Sequence, residues 1–270
     1  MHPNNSPLGK RSAYIDHYMP DLLFPILRKT KRDEIGVTNP LPFFGYDVWN
    51  AYEVSWLNAN GKPIVAMAEI IFPASSDFLI ESKSLKLYLN SFNQTQFENE
   101  AIVANHLVAD LSQATLSTVA VKLITHNQIE SLGHLNGDCI DHLDIAVDIY
   151  QPQPELLKTE NHSVTETVHS HLLKSNCLVT AQPDWGSIEI AYTGKKILAE
   201  SLLKYIVSFR NHNEFHEQCI ERIFMDIMAR CQPIELTVYG RYTRRGGLDI
   251  NPYRSTNADY PIRNTRLARQ

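Results

Sequence analysis

The sequence predicts an α+β protein built from two similar modules, each an antiparallel sheet that packs two helices on one face. Segments with strand and helix patterns follow one another in the order strands, two helices, strand, and this order occurs twice. Short sequence pairs recur as well. Ser91-Phe92 precedes Phe97-Glu98, and Ser208-Phe209, 117 residues further on, precedes Phe215-His216-Glu217 in the same way. A repeat of this kind indicates a duplicated ββααβ-type module.

The first module begins with a predicted β-hairpin. Trp49–Leu57 and Ile64–Phe72 are rich in β-branched and aromatic residues, and they flank Asn60-Gly61, a dipeptide that favours a type I′ turn. Residues Phe97–Leu111 place apolar side chains at helical spacing, and Ser117–Thr125 follows as a strand.

The second module repeats this plan. Ser175–Thr180 leads through a proline turn to the alternating segment Ser187–Tyr192. Ile197–Phe209 and Phe215–Cys231 have helical patterns, and Ile234–Tyr242 closes the module as a strand.

Residues 134–170 are polar and irregular, and we interpret them as the connection between the modules. The predicted domains are therefore an N-terminal module over 1–155 and a C-terminal module over 156–270. The N-terminal segment lacks the apolar core of a signal peptide, and no apolar run approaches the roughly 18 residues of a membrane span. With only four cysteines, the chain is expected to be a reduced cytoplasmic protein that does not bind membranes.

Charge argues against a protein that coats nucleic acid. Lys and Arg number 25 against 30 Asp and Glu, which gives a net charge of -5. From Arg241 onward, however, the chain carries seven Arg and two Asp. This basic tail could bind an anion or simply be solvated, and charge alone leaves both readings open.

Cys177 is the best candidate nucleophile in the chain. It is predicted at a strand end, and Asp184 follows seven residues later on a turn fixed by Pro183. A carboxylate within reach could take the thiol proton and return it to an electrophile. The alternative is a buried apolar cysteine near an aspartate that caps a turn.

Three further segments carry candidate residues. His216 and Glu217 begin the last long helix, whose N-terminus favours a neutral imidazole and a carboxylate. Glu81–Ser84 is the counterpart region in the first module and reads equally as an ordinary helix start. The third segment contains Arg241, Arg244 and Arg245, followed by Gly246-Gly247. It combines guanidinium groups with a backbone that permits close approach, as a phosphate site requires, although Arg-Gly-Gly also occurs in ordinary loops.

Several common types of site are excluded because their sequence motifs are absent. The sequence contains no GxGxxG after a strand, no GxxxxGK[ST] and no GxSxG. Its 11 histidines show neither HExxH nor a Cys/His zinc spacing, so we predict no metal. Cys219 and Cys231 fit a helix core, and Cys139 lies among carboxylates that disfavour a thiolate.

Taken together, these motifs resemble those of the 7-cyano-7-deazaguanine reductases, the nitrile reductases of queuosine biosynthesis, in their long, two-module form. The most specific segments are Glu81–Phe97, His171–Ser187, Phe209–Cys219 and Tyr239–Pro252. Glu-Ser-Lys-Ser-Leu-Lys must occur in the same chain as a cysteine that precedes Gln-Pro-Asp-Trp. This combination is specific, so a chance match is improbable.

The resemblance implies a fold of tandem tunnelling-fold (T-fold) modules. It also implies reduction of the nitrile of 7-cyano-7-deazaguanine to the amine of 7-aminomethyl-7-deazaguanine, with two NADPH consumed per turnover and a covalent thioimidate on the cysteine. The family acts in tRNA modification on the free base, without binding nucleic acid directly, and its long form is typically a cytoplasmic homodimer.

Carried over by position, the resemblance assigns a role to each candidate. Cys177 matches the nucleophile and Asp184 the proton donor, and His216 is a candidate for proton delivery in the second reduction. The positions that match substrate-binding residues are Glu81, Ser82, Lys83, His216 and Glu217. The positions that match cofactor-binding residues are Lys83, Ser84, Arg245 and Gly246.

Two other functions compete with this one. A cysteine-dependent nitrile or amide hydrolase on the same scaffold would keep Cys177 and need no NADPH. A non-catalytic T-fold protein that binds RNA or a pterin would not need Cys177 at all.

Overall fold

The structure is a computed structural model that describes residues 14–124, 132–261 and 263–270. Short 3-10 helical turns lie at Pro20–Leu22, Pro154–Leu156 and Phe209–Asn211. The α-helices are α1 (Lys29–Glu34), α2 (Ser82–Asn90), α3 (Glu100–Thr115), α4 (Ala199–Ser208) and α5 (His216–Cys231). The strands are β1 (Pro25–Leu27), β2 (Phe44–Leu57), β3 (Pro63–Pro73), β4 (Phe78–Ile80), β5 (Ala120–Ile124), β6 (Asp138–Cys139), β7 (Thr159–Ser170), β8 (Lys174–Asn176), β9 (Pro183–Ile197), β10 (Glu235–Tyr242) and β11 (Leu248–Ser255).

The chain forms two compact units that alternate along the sequence. The first unit comprises Met1–Thr30, Tyr46–Ser131 and Arg244–Ile250, and the second comprises Lys31–Gly45, Leu132–Thr243 and Asn251–Gln270. The boundary predicted between residues 155 and 156 is therefore not a boundary of these units. As a division between two sequence repeats, it stays a prediction.

In the first unit, strands β5, β3 and β2 pair antiparallel in that order. Apolar side chains of this sheet and of helices α2 and α3 form one buried core. Trp49, Trp56 and Ile70 come from the strands, whereas Leu85 and Leu107 come from the helices. Both helices thus pack against the sheet, as predicted for a module in which a sheet packs two helices on one face.

The β2–β3 hairpin is confirmed, but the predicted type I′ turn is wrong. Of the dipeptide Asn60-Gly61, Gly61 alone takes a positive φ, of +76°. The Gly61 amide donates to the Asn58 carbonyl, and the Asn58 side chain accepts from the amides of Asn60 and Lys62. The Asn58 side chain therefore stabilises a longer loop that needs one left-handed residue, whereas a type I′ turn needs two.

In the second unit, the strand order is β11, β10, β9, β7 and β6, and β8 pairs with β9. Neighbouring strands are antiparallel, except that β6 runs parallel to β7. Helix α5 buries Ile220, Ile223 and Phe224. A Cβ on Gly240 of β10 would lie 2.7 Å from the Ile220 side chain, so this glycine allows α5 to approach the sheet closely.

The two units share their helix architecture. Helices α3 and α5 have 16 residues each, and each is followed by a non-glycine residue in the left-handed conformation, Leu116 and Gln232. The predicted α+β class and the repeated order of strands, two helices and a strand are therefore confirmed.

Besides the short strands β1, β4 and β6, the sequence patterns missed two long strands, β7 and β11. Residues 134–170, expected to be an irregular connection, contain β7. This strand is polar and mostly exposed or half-buried, so it lacks the apolar alternation by which a strand is recognised. Strand β11 is buried throughout, but Asp249, Asn251 and Arg254 interrupt its apolar pattern.

Part of the basic tail lies inside the second unit. Arg241 is buried and donates hydrogen bonds to Tyr239, Asn264 and Gln270, the last at 2.8 and 3.0 Å. Arg254 is buried and donates to Glu221. Both guanidiniums are bound within the fold. The tail's composition allowed its charges to be solvated, but these two are not.

Among the described residues, no helix is both long enough and apolar enough to span a membrane.

Candidate functional site

A tight hairpin positions Cys177 and Asp184 in the second unit. Strands β8 and β9 pair so that Ser175 lies opposite Asp184, and Cys177 follows directly after β8. The Cys177 amide donates to the Gln182 carbonyl at 2.8 Å, and Ala181 takes a φ of +54° to close the loop. The prediction that Cys177 lies at a strand end is confirmed, whereas Asp184 lies in strand β9 and not in the turn itself.

His216 contacts Asp184. Its Nε2 lies 3.7 Å from Asp184 Oδ1, and the side chains are 12% and 3% exposed. The His216 ring also packs edge to face on Tyr242, with a centroid separation of 4.2 Å. Because helix α5 begins at His216, the helix start fixes the imidazole beside the carboxylate. At 3.7 Å the two groups are within ion-pair range but beyond hydrogen-bond distance, so direct proton transfer would need a small shift of either side chain.

Lys174 supplies positive charge near the same carboxylate. Its Nζ donates to Asn176 Oδ1 at 2.6 Å and to the Arg210 carbonyl at 2.5 Å. Burial and the neighbouring Arg210 lower the pKa of Lys174, and the Asp184 carboxylate opposes this shift. Asp184 is therefore influenced electrostatically by both Lys174 and His216. No sequence pattern singled out Lys174.

The first turn of α5 also buries Glu217 and Gln218. Among the described residues, neither polar atom of the Gln218 side chain has a hydrogen-bond partner. A buried amide without partners costs free energy that a bound ligand can recover. Gln218 is thus a further candidate for ligand contact, and only its place beside His216 and Glu217 could have suggested it.

Cys219 and Cys231 are buried on α5, as predicted for core cysteines. Burial raises the pKa of the Cys219 thiol to about 12 and that of Cys231 to about 11. Both therefore stay protonated at neutral pH and are poor nucleophiles.

In the first unit, Glu81 caps helix α2. Its carboxylate accepts hydrogen bonds from the amides of Lys83 at 2.7 Å and Ser84 at 2.9 Å. Burial raises the pKa of Glu81, and these hydrogen bonds oppose the shift. The helix-start reading is thus confirmed, and the carboxylate is held rigidly where α2 begins. Ser82 and Lys83 are half-buried.

Lys86 links α2 to the arginine-glycine turn within the first unit. Its Nζ donates to the Gly246 carbonyl at 2.6 Å and to Glu53 Oε2 at 2.7 Å. Arg245 and Leu248 bridge the turn, in which Gly246 and Gly247 both have positive φ. The predicted cofactor residues of α2 and of the turn are therefore held near one another.

This arrangement suits a phosphorylated cofactor. Arg244 and Arg245 are exposed at the turn, and the Arg244 guanidinium lies 4.4 Å from the centroid of the Tyr52 ring. A guanidinium pairs well with phosphate oxygens, and the glycine backbone lets a ligand approach. Arg241, in contrast, is committed to Gln270 and is not available for a phosphate.

The predicted site residues thus fall into two sets. Cys177, Asp184, His216 and Glu217 belong to the second unit, whereas Glu81–Ser84, Arg245 and Gly246 belong to the first. The joint action of the two sets stays a prediction.

Two family models match this chain. One, described as "Nitrile reductase, 7-cyano-7-deazaguanine-reductase N-term", matches residues 14–123. The other, described as "QueF-like protein", matches residues 183–260. A solved structure, the archaeosine synthase QueF-Like in the apo form, is similar to 38% of this chain and 99% of its own, with 15% identity and a TM-score of 0.31.

Curated relatives match nearly the whole chain, and each is named NADPH-dependent 7-cyano-7-deazaguanine reductase. The relative from Cupriavidus pinatubonensis is 58% identical over 99% of both chains. Those from Chromobacterium violaceum and Coxiella burnetii are 57% and 56% identical, over 99% and 98% of this chain and 98% and 96% of their own. Similarity at this level over the full length establishes that this chain belongs to the family of NADPH-dependent 7-cyano-7-deazaguanine reductases.

Proposed function

We propose that this protein reduces the nitrile of 7-cyano-7-deazaguanine to the primary amine of 7-aminomethyl-7-deazaguanine with NADPH, in queuosine biosynthesis. The reaction passes through a covalent thioimidate on Cys177. The observation that carries this proposal is the 3.7 Å contact of His216, at the start of α5, with Asp184 of the β8–β9 hairpin, after whose first strand Cys177 follows directly. Family membership supplies the substrate and the cofactor.

The first step is addition of the Cys177 sulfur to the nitrile carbon. A carbon–sulfur bond forms, one carbon–nitrogen π bond breaks, and the nitrogen takes a proton. Asp184 accepts the proton of the thiol and passes it to that nitrogen, so the net step adds S–H across the nitrile. The contact of Asp184 with His216 keeps the carboxylate oriented for both transfers.

Reduction of a nitrile to a primary amine requires two hydrides and two further protons. After the first hydride adds to the thioimidate carbon, the carbon–sulfur bond breaks and leaves an imine and the Cys177 thiolate. The second hydride gives the amine, and of the two protons one goes to the amine nitrogen and the other restores the Cys177 thiol. NADPH supplies a hydride when bound, so two equivalents are consumed per turnover. Lys83, Ser84, Arg245 and Gly246 would hold the cofactor, since the guanidinium and ammonium groups suit its phosphates. His216 delivers a proton in the second reduction.

Exclusion of water protects the partly reduced substrate. An imine between the two reductions would hydrolyse if water reached it. Cys177 is 2% exposed and Asp184 is 5% exposed, so the reacting groups are already shielded by the protein.

Buried carboxylates and neighbouring polar residues would recognise the deazaguanine ring of the substrate. Glu217 and Glu81 suit the N–H edge of a guanine-like ring, because a carboxylate accepts two hydrogen bonds at once. Ser82, Lys83 and His216 complete the proposed contacts. Both carboxylates are buried at helix starts, so their positions are fixed before substrate arrives.

We further propose that the protein is a cytoplasmic homodimer that acts on the free base and not on tRNA. The reaction as written needs no metal.

Cofactor consumption tests the proposal against hydrolysis. Purified protein given 7-cyano-7-deazaguanine should oxidise two equivalents of NADPH for each amine formed. Release of ammonia without loss of NADPH would replace the reductase with the hydrolase. Glu34→Gln, which alters an exposed ion pair with Lys31 away from the proposed site residues, is a suitable control for handling effects.

A further inference from the structure

A Cys/His cluster outside the proposed catalytic set lies in the second unit. It contains Cys139, His169 and His171, all half-buried, and one ligand atom from each lies within 4.8 Å of the other two. Strand pairing creates this cluster. Cys139 of β6 lies opposite His169 of β7, and His171 follows two residues later, one position beyond the end of that strand.

Neighbouring groups orient both imidazoles. His169 Nδ1 lies 2.9 Å from the carbonyl oxygen of Asn136, which can only accept, so Nδ1 carries the hydrogen and Nε2 keeps its lone pair. His171 Nδ1 lies 2.8 Å from Ser187 Oγ. Histidine ligands of metal ions characteristically use the second ring nitrogen in this way, which fixes the tautomer and the ring orientation.

A carboxylate fixes the backbone beside the cluster. Asp141 accepts hydrogen bonds from Ser170 Oγ at 2.6 Å and from the His171 amide at 2.8 Å. It thus holds the turn that carries His171 against the segment that carries Cys139. Its negative charge also favours a cation nearby.

We propose that Cys139, His169 and His171 bind a zinc ion. One thiolate and two imidazoles suit Zn²⁺ better than the oxygen-preferring Mg²⁺ or Ca²⁺. A tetrahedral site with Zn–S of about 2.3 Å and Zn–N of about 2.0–2.1 Å needs ligand atoms about 3.5 Å apart. The three ligand atoms already lie within 4.8 Å of one another, so small side-chain rotations would bring them to this spacing. On binding, the Cys139 thiol loses its proton to solvent, and water takes the fourth position.

The proposed ion is a structural clip. It ties Cys139 to the end of β7, and β8, which leads to Cys177, begins three residues after His171. The sequence predicts no metal because the ligands do not follow a recognised spacing. Pairing of β6 with β7 brings together residues that are 30 positions apart, and residue spacing could not reveal this.

Metal content and a spectroscopic probe test the site. Untagged, full-length protein purified without chelators should contain about one equivalent of zinc. Protein stripped with a chelator and titrated with Co²⁺ should show thiolate-to-cobalt charge transfer and the visible bands of a tetrahedral site. Zn²⁺ should raise the thermal midpoint of the stripped protein, and no step of this test depends on enzymatic activity.

Variants decide whether these residues are the ligands. Cys139→Ser should abolish the thiolate band, and His169→Ala and His171→Ala should each weaken cobalt binding at least 10-fold. His162→Ala, an exposed histidine on the same strand, should behave as wild type. A wild-type protein that binds no zinc, or a Cys139→Ser variant with an unchanged cobalt spectrum and affinity, would overturn the proposal and leave adventitious binding only.

Discussion

His216 Nε2 lies 3.7 Å from Asp184 Oδ1, and both side chains are almost fully buried. We propose that the two groups act as one proton-transfer unit, in which a small shift of either side chain closes the gap to hydrogen-bond distance. In the proposed reaction this unit receives the thiol proton, returns it to the nitrile nitrogen and supplies a later proton. In this proposal the pair transfers protons near Cys177, which follows β8 of the same hairpin.

Asp184→Asn should abolish turnover while it preserves the shape of the side chain, because an amide cannot carry the proton. We expect kcat to fall at least about 100-fold, the usual contribution of a positioned acid or base. His216→Ala should also lower kcat. The double variant should lose less than the product of the two single losses, since the residues act together.

Steady-state kinetics of the four proteins measure this coupling. Strictly multiplicative losses would show that Asp184 and His216 act independently, and near-normal turnover by Asp184→Asn would remove it from the mechanism.

Arg245→Ala should raise KM for NADPH by about 10-fold with little change in kcat, because one charge-assisted hydrogen bond to phosphate is worth about 1.5–3 kcal/mol. Initial rates against NADPH concentration measure this change. Arg230→Ala removes an exposed arginine from the last turn of α5 and is the matched control. Equal effects of both substitutions on KM would indicate a general charge effect and not a cofactor contact.

Glu221→Gln should destabilise the fold by about 3–5 kcal/mol, because it leaves buried guanidiniums without their counter-ion. Glu221 accepts from Arg32 at 2.6 Å and from Arg254 at 2.8 Å. Glu53→Gln breaks an ion pair with Lys86 in which Glu53 is 62% exposed, so the expected loss is below about 1 kcal/mol. Urea unfolding of both variants should give clearly different midpoints. Similar midpoints would contradict the structural role of the buried cluster.

Glu214 should make stability depend on pH. Burial raises its pKa, but hydrogen bonds from His212 and Arg222 outweigh burial, so the pKa lies below its ordinary value. Because the unfolded carboxylate has a pKa of about 4.3, Glu214 contributes stability above that pH and loses it as pH falls through the lower folded value.

Wild type should therefore exceed Glu214→Gln in unfolding free energy by about 2–3 kcal/mol at neutral pH, and the difference should shrink below about pH 4. Urea unfolding across this range measures it. A difference that stays constant down to pH 3 would contradict the lowered pKa.

The fold was largely predictable wherever one face of an element is apolar. The hairpin β2–β3 and helices α3 and α5 follow directly from residue patterns, since burial of that face stabilises them. Strand β7 could not be found this way, because most of its side chains face water. Strand β11 was not recognised from its residue pattern because its buried polar residues interrupt the apolar alternation. Their partners come from parts of the chain that meet only in the fold.

The sequence supplied the candidate site residues, whose roles stay predictions, but not their geometry. The segment from Cys177 to Asp184 predicts a turn. The 3.7 Å contact between Asp184 and His216, however, depends on where α5 begins relative to β9. Lys174 and Gln218 carry no sequence signal, because their importance comes from burial and neighbours. Cys139 is similar, since its histidine neighbours come from a strand that polar composition concealed.

The covalent adduct on Cys177 tests the central claim most directly. Protein mixed with 7-cyano-7-deazaguanine in the absence of NADPH should gain the full mass of the nitrile, since addition of a thiol to a nitrile expels nothing. The added mass should map to Cys177 and be absent in Cys177→Ala, while Cys231→Ala should still form it. Failure of wild type to form the adduct while it still reduces the nitrile, or full turnover by Cys177→Ala, would contradict the account.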